Sequence, residues 1–312
     1  MNLGYACINM TLGKKVTMSR TMVRRTFEAK GLDYVSDLAL LNAKDMIKIL
    51  EWNRMNGIMF FRASSAIVPW GDHIDITTLK DYKEIADELR KAGDYAKYWK
   101  MRITCHPGPF NVLVSPKENV VLNTIADLEL HGKIFDLMGL DRSPYNKINI
   151  HCNGVYGDKK IAMDRFIDNF KLLSDSVRSR LTIENDDKAS MYSVKDLMYI
   201  HNAIKIPIVF DYHHHTFNTG NLSEQEALEL AITTWPKGIT PVTHYSESKI
   251  GNKPQAHSDY IERIPETYGN VVDIMVEAKA KDLAVLWYTT KNPTYRYVST
   301  LSDSMPEKNQ TK

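Results

Sequence analysis

Residues 147–184 read KINIHCNGVYGDKKIAMDRFIDNFKLLSDSVRSRLTIE, and this stretch decides the fold. Lys147–His151 is a short apolar run of strand length. Ala162–Ser176 places apolar residues at near-helical spacing, and Leu181–Glu184 returns to a short apolar run. Strand, helix, strand in that order makes a parallel unit, because a crossover helix is what joins parallel neighbours.

The alternation continues in both directions. Upstream, strands are expected at Leu3–Asn9, Gly57–Phe61 and Arg102–Cys105, with helices over Ala43–Met55, Thr78–Tyr98 and Ser115–Met138. Ser115, Pro116 and Glu118 read as a capping-box start and Gly139 as a stop. Downstream, strands are expected at Pro207–Asp211, Pro241–His244 and Asn270–Glu277. Helices are expected over Ser193–Ala203, Ser223–Thr233, Ser258–Ile264 and Lys279–Leu286. Gly13–Asp45 shows little periodicity and reads as a long loop. Eight strands alternating with eight helices predict an α/β protein, a single-domain (β/α)8 TIM barrel over residues 1–288. A polar C-terminal extension and tail follow at 289–312. The alternative, an open doubly wound sheet, often opens with a glycine-rich turn. No G-x-G-x-x-G or G-K-[ST] occurs, which argues against a nucleotide cofactor.

Composition agrees with a soluble globular protein: 43% hydrophobic, 25% charged, formal charge +2 over 312 residues. No apolar run is long enough to span a membrane, and the start MNLGYACINM lacks the layout of a signal peptide. Three cysteines fit a reducing cytoplasm better than a disulfide framework.

In such a barrel, chemistry belongs at the C-terminal ends of the strands. Of ten histidines, His131 and His201 fall inside predicted helices and read as packed or surface residues. The other eight lie at or after strand ends. Strand three ends in CHPGPF with His106, strand four in NIHCNG with His151, and strand five in TIEND with Glu184. Strand six ends in FDYHH with Asp211 and His214, strand seven in VTHYSES with His244, and strand eight in IMVEAK with Glu277. Imidazole plus carboxylate is the ligand set of Zn²⁺, Mn²⁺ or Fe. Crowded acids and imidazoles at one rim repel unless cations lie between them, so a polynuclear metal site is expected. D-x-x-H spacing selects His214 from the run His213, His214, His215. Cys105 and Cys152 alternate with the inward histidines and read as packing, as does Cys7.

Clustered divalent cations favour phosphate-ester over carbonyl chemistry. The first βα loop carries Lys14, Lys15, Arg20, Arg24, Arg25 and Lys30 against Glu28, a local charge of +5. That pattern suits a phosphate backbone. Tyr5, Trp70, Phe110, Tyr156 and Tyr212 are expected at the same rim, where aromatics can stack on distorted bases. His73 follows strand two and suits a metal, a phosphate or a loop cap.

Taken together, GYACINMTL, SSAIVPWGDH, CHPGPF, NIHCNGVYGDK, LTIENDD, PIVFDYHHH, THYSES, AHSDYI and DIMVEAKAKD resemble the ultraviolet damage endonucleases, relatives of endonuclease IV. The resemblance covers residues 3–285. It implies metal-assisted hydrolysis of damaged double-stranded DNA on the 5′ side of photoproducts and some other lesions, leaving a 3′-hydroxyl. It implies two or three divalent ions, Mn²⁺ or Zn²⁺, with Mg²⁺ or Co²⁺ as alternatives. The implied metal set is His106, His151, Glu184, Asp211, His214, His244, His257 and Glu277. His257 is taken to open a helix, and Glu184 to bridge two ions. Glu184, Glu277 and His106 are expected to be central to catalysis, which needs no protein nucleophile. Tyr5, Asn9 and His73 fall on positions near the damaged nucleotides; Lys14, Lys15, Arg20, Arg24 and Arg25 would face DNA. Two departures stand out. Pro109 and Phe110 replace the glutamine–aromatic pair that probes the lesion, and Val242 replaces a lysine two residues before His244. A cytoplasmic, nucleoid-associated monomer is expected. The rival readings are a TIM-barrel sugar isomerase or epimerase, and a non-catalytic metal-stabilised damaged-DNA-binding protein.

Overall fold

The computed structural model describes residues 1–295. Eight parallel strands close into a barrel in sequence order, so neighbours in the chain are neighbours in space. They are β1 (Leu3–Ala6), β2 (Phe60–Ala63), β3 (Arg102–Cys105), β4 (Ile148–His151), β5 (Leu181–Glu184), β6 (Ile208–Asp211), β7 (Val242–Tyr245) and β8 (Asp273–Val276). Closure is made by β8 on β1, with Leu3 opposite Ile274 and Tyr5 opposite Val276. The helices are α1 (Arg24–Met55), α2 (Tyr82–Tyr98), α3 (Glu118–Met138), α4 (Lys159–Phe170), the short α5 (Asp175–Arg178), α6 (Val194–Ile204), α7 (Tyr212–Phe217), α8 (Glu224–Thr233) and α9 (Asp282–Lys291). This is the expected (β/α)8 architecture in one domain. No helix among the described residues is long and apolar enough to cross a membrane.

Four local expectations are corrected. The first is the loop at Gly13–Asp45: a helix already begins at Arg24, and it bends at Gly31, whose φ is 64°. Its buried face carries Ser36, Asn42 and Asp45, polar residues that blur the apolar stripe. Each has a tertiary bond: Ser36 to Asp81, Asn42 to the carbonyls of Ala66 and Ile67, Asp45 to Arg20. The second is Ser115, which does not cap α3; its hydroxyl accepts the Lys117 N–H two residues on, and the helix starts at Glu118. Gly139 does stop it, at φ 69°. Third, Ala162–Ser176 is split, ending as α4 at Phe170 and restarting as α5 under the Ser174 cap. Fourth, Ser258–Ile264 is not a helix, so His257 opens none, and no helix lies between β7 and β8. Glu247 Oε1 takes the N–H groups of Glu262 and Arg263 (3.0 and 3.2 Å) that a helix would use, and Pro265 disfavours helical geometry at Ile264. The last helix runs three residues past the expected boundary at 288, to Lys291; residues 296–312 of the expected tail lie outside the described residues.

The barrel interior is layered. Ala6, Phe60, Val209, Val242 and Met275 form an apolar cluster inside it. A Cβ at Gly4 would meet the Phe60 carbonyl oxygen at 2.6 Å, so only glycine lets Phe60 fill this space. Elsewhere in the interior, Arg102 and Asp273 form an ion pair at 3.1 Å, almost fully buried. The polar side chains at the C-terminal rim form the site.

Candidate metal centre and catalytic face

Period-two alternation turns residues 149 and 151 of β4, and Lys147 just before it, toward the axis, and likewise 182 and 184 on β5. Glu184 sits at the centre, 1% exposed, within reach of four imidazoles. The nitrogens of His244, His106, His214 and His151 lie 3.1, 3.2, 3.5 and 3.7 Å from its carboxylate oxygens. Two overlapping ligand groups share it: His106, His151 and Glu184, and Glu184, Asp211 and His244, with ligand atoms in each within 4.8 Å of one another. Glu277 Oε1 lies 3.3 Å from His244 Nδ1. His257 stands at the edge: its Nδ1 is 3.1 Å from the Glu277 carbonyl and 4.0 Å from the Glu277 carboxylate.

This donor set fits divalent cations. Asp211 Oδ2 is buried and has no hydrogen-bond partner, while His151 Nδ1 and His244 Nδ1 are buried against the carboxylates of Asp186 and Glu184, each at 3.1 Å. A buried polar atom left without a partner is costly, and all three are atom types that ligate Zn²⁺ or Mn²⁺. Cys105 and Cys152 are buried packing residues and belong to neither group; His131 and His201 bond backbone carbonyls of Asp127 and Ile206.

The supporting residues were not singled out by sequence reasoning. Arg62 on β2 pairs with Glu277 across the rim. Asn149 donates to Glu184, and Asn185 exchanges two bonds with the Asp211 backbone (2.8 and 3.0 Å). Asp186 Oδ1 lies 3.1 Å from His151 Nδ1. Lys147, fully buried, brings Nζ to 3.2 Å from His244 Nε2. Thus an amine meets this histidine from β4, while Val242, where the resemblance expected lysine, stays in the apolar cluster. The signal available was the period: Lys147 and Asn149 precede His151 by four and two residues. Such partners orient ligands and tune their basicity.

Burial alone would raise Glu184, but the His244 and His151 imidazoles hold it well below the usual carboxylate range. Glu277 is likewise held low, against burial, by Arg62 and His244. Burial lifts Asp211 to about 7 and drops His244 to about 4. For His151, burial is outweighed by Glu184 and Asp186, and it rises to about 9. For His214, burial is outweighed by Asp211 and Glu184, and it rises to about 10. These two protons must leave before the nitrogens can ligate a cation. Cation affinity is therefore expected to climb with pH through about 9 and about 10, with protons released on binding. Calorimetry in two buffers of different ionisation heat counts those protons, and an affinity independent of pH would contradict the assignment. The sign for cation-free stability is the reverse. Both pKa values are raised, so the contribution is complete below the ordinary 6.5 and is lost as pH rises through about 9 to about 10.

Around the centre the expected DNA-facing residues divide. Phe110 is 89% exposed, and Pro109 beside it is exposed. His73 is exposed and lines, with Phe110 and Asn111, a cleft of about 290 Å³. It is not in either ligand group. Lys14, Lys15, Arg24 and Arg25 are exposed. Arg24 pairs with Glu28 at 2.8 Å and Arg20 with Asp45 at 2.6 Å, so the local charge is partly neutralised. Tyr5 and Asn9 are buried: the Tyr5 hydroxyl donates to Asn53 (2.6 Å) and accepts from Asn9 (2.9 Å). Asn9 then takes the Leu12 N–H at 2.8 Å, so the pair shapes the root of the first loop. Tyr212 is also buried, donating to the Glu266 carbonyl. Trp70 stacks on Phe27 at 4.9 Å, and Tyr156 remains half exposed.

Comparison with known proteins identifies the family and agrees with the fold. The family model described as UV-endonuclease UvdE matches residues 1–307. The UV DNA damage endonuclease of Clostridium perfringens (strain 13 / Type A) is 37% identical over 295 residues, covering 92% of this chain and 69% of the relative. The UV-damage endonuclease of Schizosaccharomyces pombe (strain 972 / ATCC 24843) is 37% identical over 312 residues, covering 93% of this chain and 51% of the relative. The crystal structure of SacUVDE superposes with a TM-score of 0.82 at 32% identity, covering 96% of this chain and all of that one. With the family model spanning nearly the whole sequence and the barrel matching end to end, the chain belongs to the UV-endonuclease UvdE family.

Proposed function

We propose that this chain cuts the backbone of damaged double-stranded DNA on the 5′ side of ultraviolet photoproducts and some other lesions, leaving a 3′-hydroxyl. It does so as a monomer, in the cytoplasm at the nucleoid. The observation that carries this reading is the nest of imidazoles and acids around Glu184 beside the exposed Phe110. Glu184, Asp211, Glu277, His106, His151, His214, His244 and His257 would hold two or three cations, Mn²⁺ or Zn²⁺, with Mg²⁺ or Co²⁺ as substitutes. Such ions, when bound, supply a nucleophile at neutral pH and neutralise developing phosphoryl charge.

The chain's own groups do the rest. Glu184 sets the spacing of four imidazoles, and Arg62 fixes the Glu277 carboxylate. His106 Nε2 lies 3.2 Å from Glu184, which keeps this ring turned into the nest. The exposed lysines and arginines of the first loop and α1 attract the phosphate backbone. Phe110 enters the stack at the lesion, where unpaired bases are cheapest to displace.

The test is nicking of an irradiated, end-labelled duplex with Mn²⁺ and then with excess chelator, with product ends mapped. Cuts 5′ of the photoproduct that vanish with chelator are expected; chelator-insensitive cutting overturns the reading. For Phe110→Ala, base–aromatic stacking of ~1–3 kcal/mol predicts roughly tenfold weaker binding of the damaged duplex. Binding within twofold of the parent by fluorescence anisotropy would remove Phe110 from the interface.

A further inference from the structure

Two of the large apolar side chains are exposed far beyond the others among the described residues: Ile250 at 99% and Phe110 at 89%. Both follow C-terminal strand ends. Phe110 follows β3 and Ile250 follows β7, and in a closed eight-stranded ring these strands are diametrically opposed. The two side chains therefore stand on one face of the molecule, on opposite sides of the Glu184 nest. A single exposed aliphatic residue is unremarkable. A pair this exposed, set across the metal centre, is a pattern.

The loop that presents Ile250 is built. Lys249 donates its N–H to Ala256 (2.7 Å) and Ser258 to Glu247 (2.7 Å), and Ser248 bridges His257 in antiparallel fashion. The tip turns at Gly251, φ 75°, with the Asn252 N–H on the Lys249 carbonyl at 3.2 Å. Lys249 is anchored to Asp259, whereas Lys253 is exposed beside the tip. At the foot, His257 donates Nδ1–H to the Glu277 carbonyl at 3.1 Å and packs on His213 with ring centroids 5.3 Å apart. The hairpin thus ties its tip to the same rim as the metal centre through His257.

We propose that Ile250 is a second wedge, entering the duplex at a base step on the far side of the scissile phosphate from Phe110, with Lys253 on a neighbouring phosphate. Apolar wedges of this type unstack a step and kink the duplex, and two of them bracketing the metal nest would bend the backbone over it. The inference rests on the endonuclease reading above, and goes beyond it by naming a second contact.

The experiment uses the metal-loaded protein and an irradiated duplex carrying 2-aminopurine either beside the photoproduct or several base pairs away on the side of the cut. The parent is measured first: failure to bind or nick this duplex overturns the endonuclease reading, and the wedge with it. With the parent active, Ile250→Ser is expected to bind about tenfold more weakly, the scale set by burying one aliphatic side chain. It is also expected to lose the fluorescence change at the distant probe while keeping the one at the lesion. Phe110→Ala should show the opposite pattern. Metal content and melting temperature equal to the parent's establish that the fold is intact. An Ile250→Ser protein that binds within twofold and retains the distant signal overturns the proposal with the endonuclease reading untouched.

Discussion

Glu184→Gln is expected to lower cleavage of an irradiated duplex by roughly a hundredfold to a few thousandfold, since truncating the charge in a buried cluster costs about 3–5 kcal/mol. The reason is its position. One carboxylate, 1% exposed, faces the nitrogens of His106, His151, His214 and His244 at 3.1 to 3.7 Å. Glutamine keeps the shape and the bond from Asn149 through its amide oxygen, but it brings no charge to oppose imidazolium or to share between cations. Bound metal measured by mass spectrometry should fall along with cleavage, while binding of damaged DNA, which the proposal assigns to exposed residues outside the nest, should change little. That split separates an enzyme from a metal-stabilised binding protein. A variant that keeps full metal content and cuts within tenfold of the parent would show that Glu184 is not the shared ligand.

Asp273→Ala is expected to cost about 3–5 kcal/mol of stability, because it leaves a buried guanidinium uncompensated. Arg102 is wholly buried, with Asp273 at 3.1 Å and the carbonyls of Thr240, Tyr145 and Pro144 at 2.7 to 3.2 Å. Those carbonyls satisfy its protons but leave its charge. Asp273 also takes two bonds from Asn2, at 2.7 and 3.1 Å, so the substitution loosens the start of β1 as well. The urea midpoint should drop with little change in slope. The double variant Arg102→Met with Asp273→Leu should recover much of the loss, since a well-packed apolar pair can replace a buried ion pair. A single variant within about 1 kcal/mol of the parent would mean that water reaches Arg102.

The strands were legible because β-period alternation is short and strongly expressed here, and the candidate ligands fall at its ends. His106, His151, Glu184, Asp211, His244 and Glu277 could be placed at one rim by counting strands. What escaped was set by tertiary partners. The start of α1 hides behind its break at Gly31 and behind Ser36 and Asn42, polar residues on a buried face that bond to other elements. Ser258–Ile264 has helical spacing, yet Glu247 captures its backbone donors from a distant point in the chain. The burial of Tyr5 and Asn9 was not legible either: one hydroxyl joins them to Asn53. Lys147 is the sharpest case. Its spacing to His151 was readable, whereas its meeting with His244, on a strand three places round the ring, needs the barrel to be closed.

Seven of the eight flanks of the ring are roofed by regular helix, and the span from β7 to β8 is not. Its amides go to scattered backbone carbonyls and to the Glu247 side chain instead of a helical ladder, and segments of that kind open at lower free energy than regular elements. The seam also carries His257 and the Ile250 hairpin. Breathing there would loosen His257 and one edge of the rim together while the other strands stay paired, a local event rather than an unfolding of the ring.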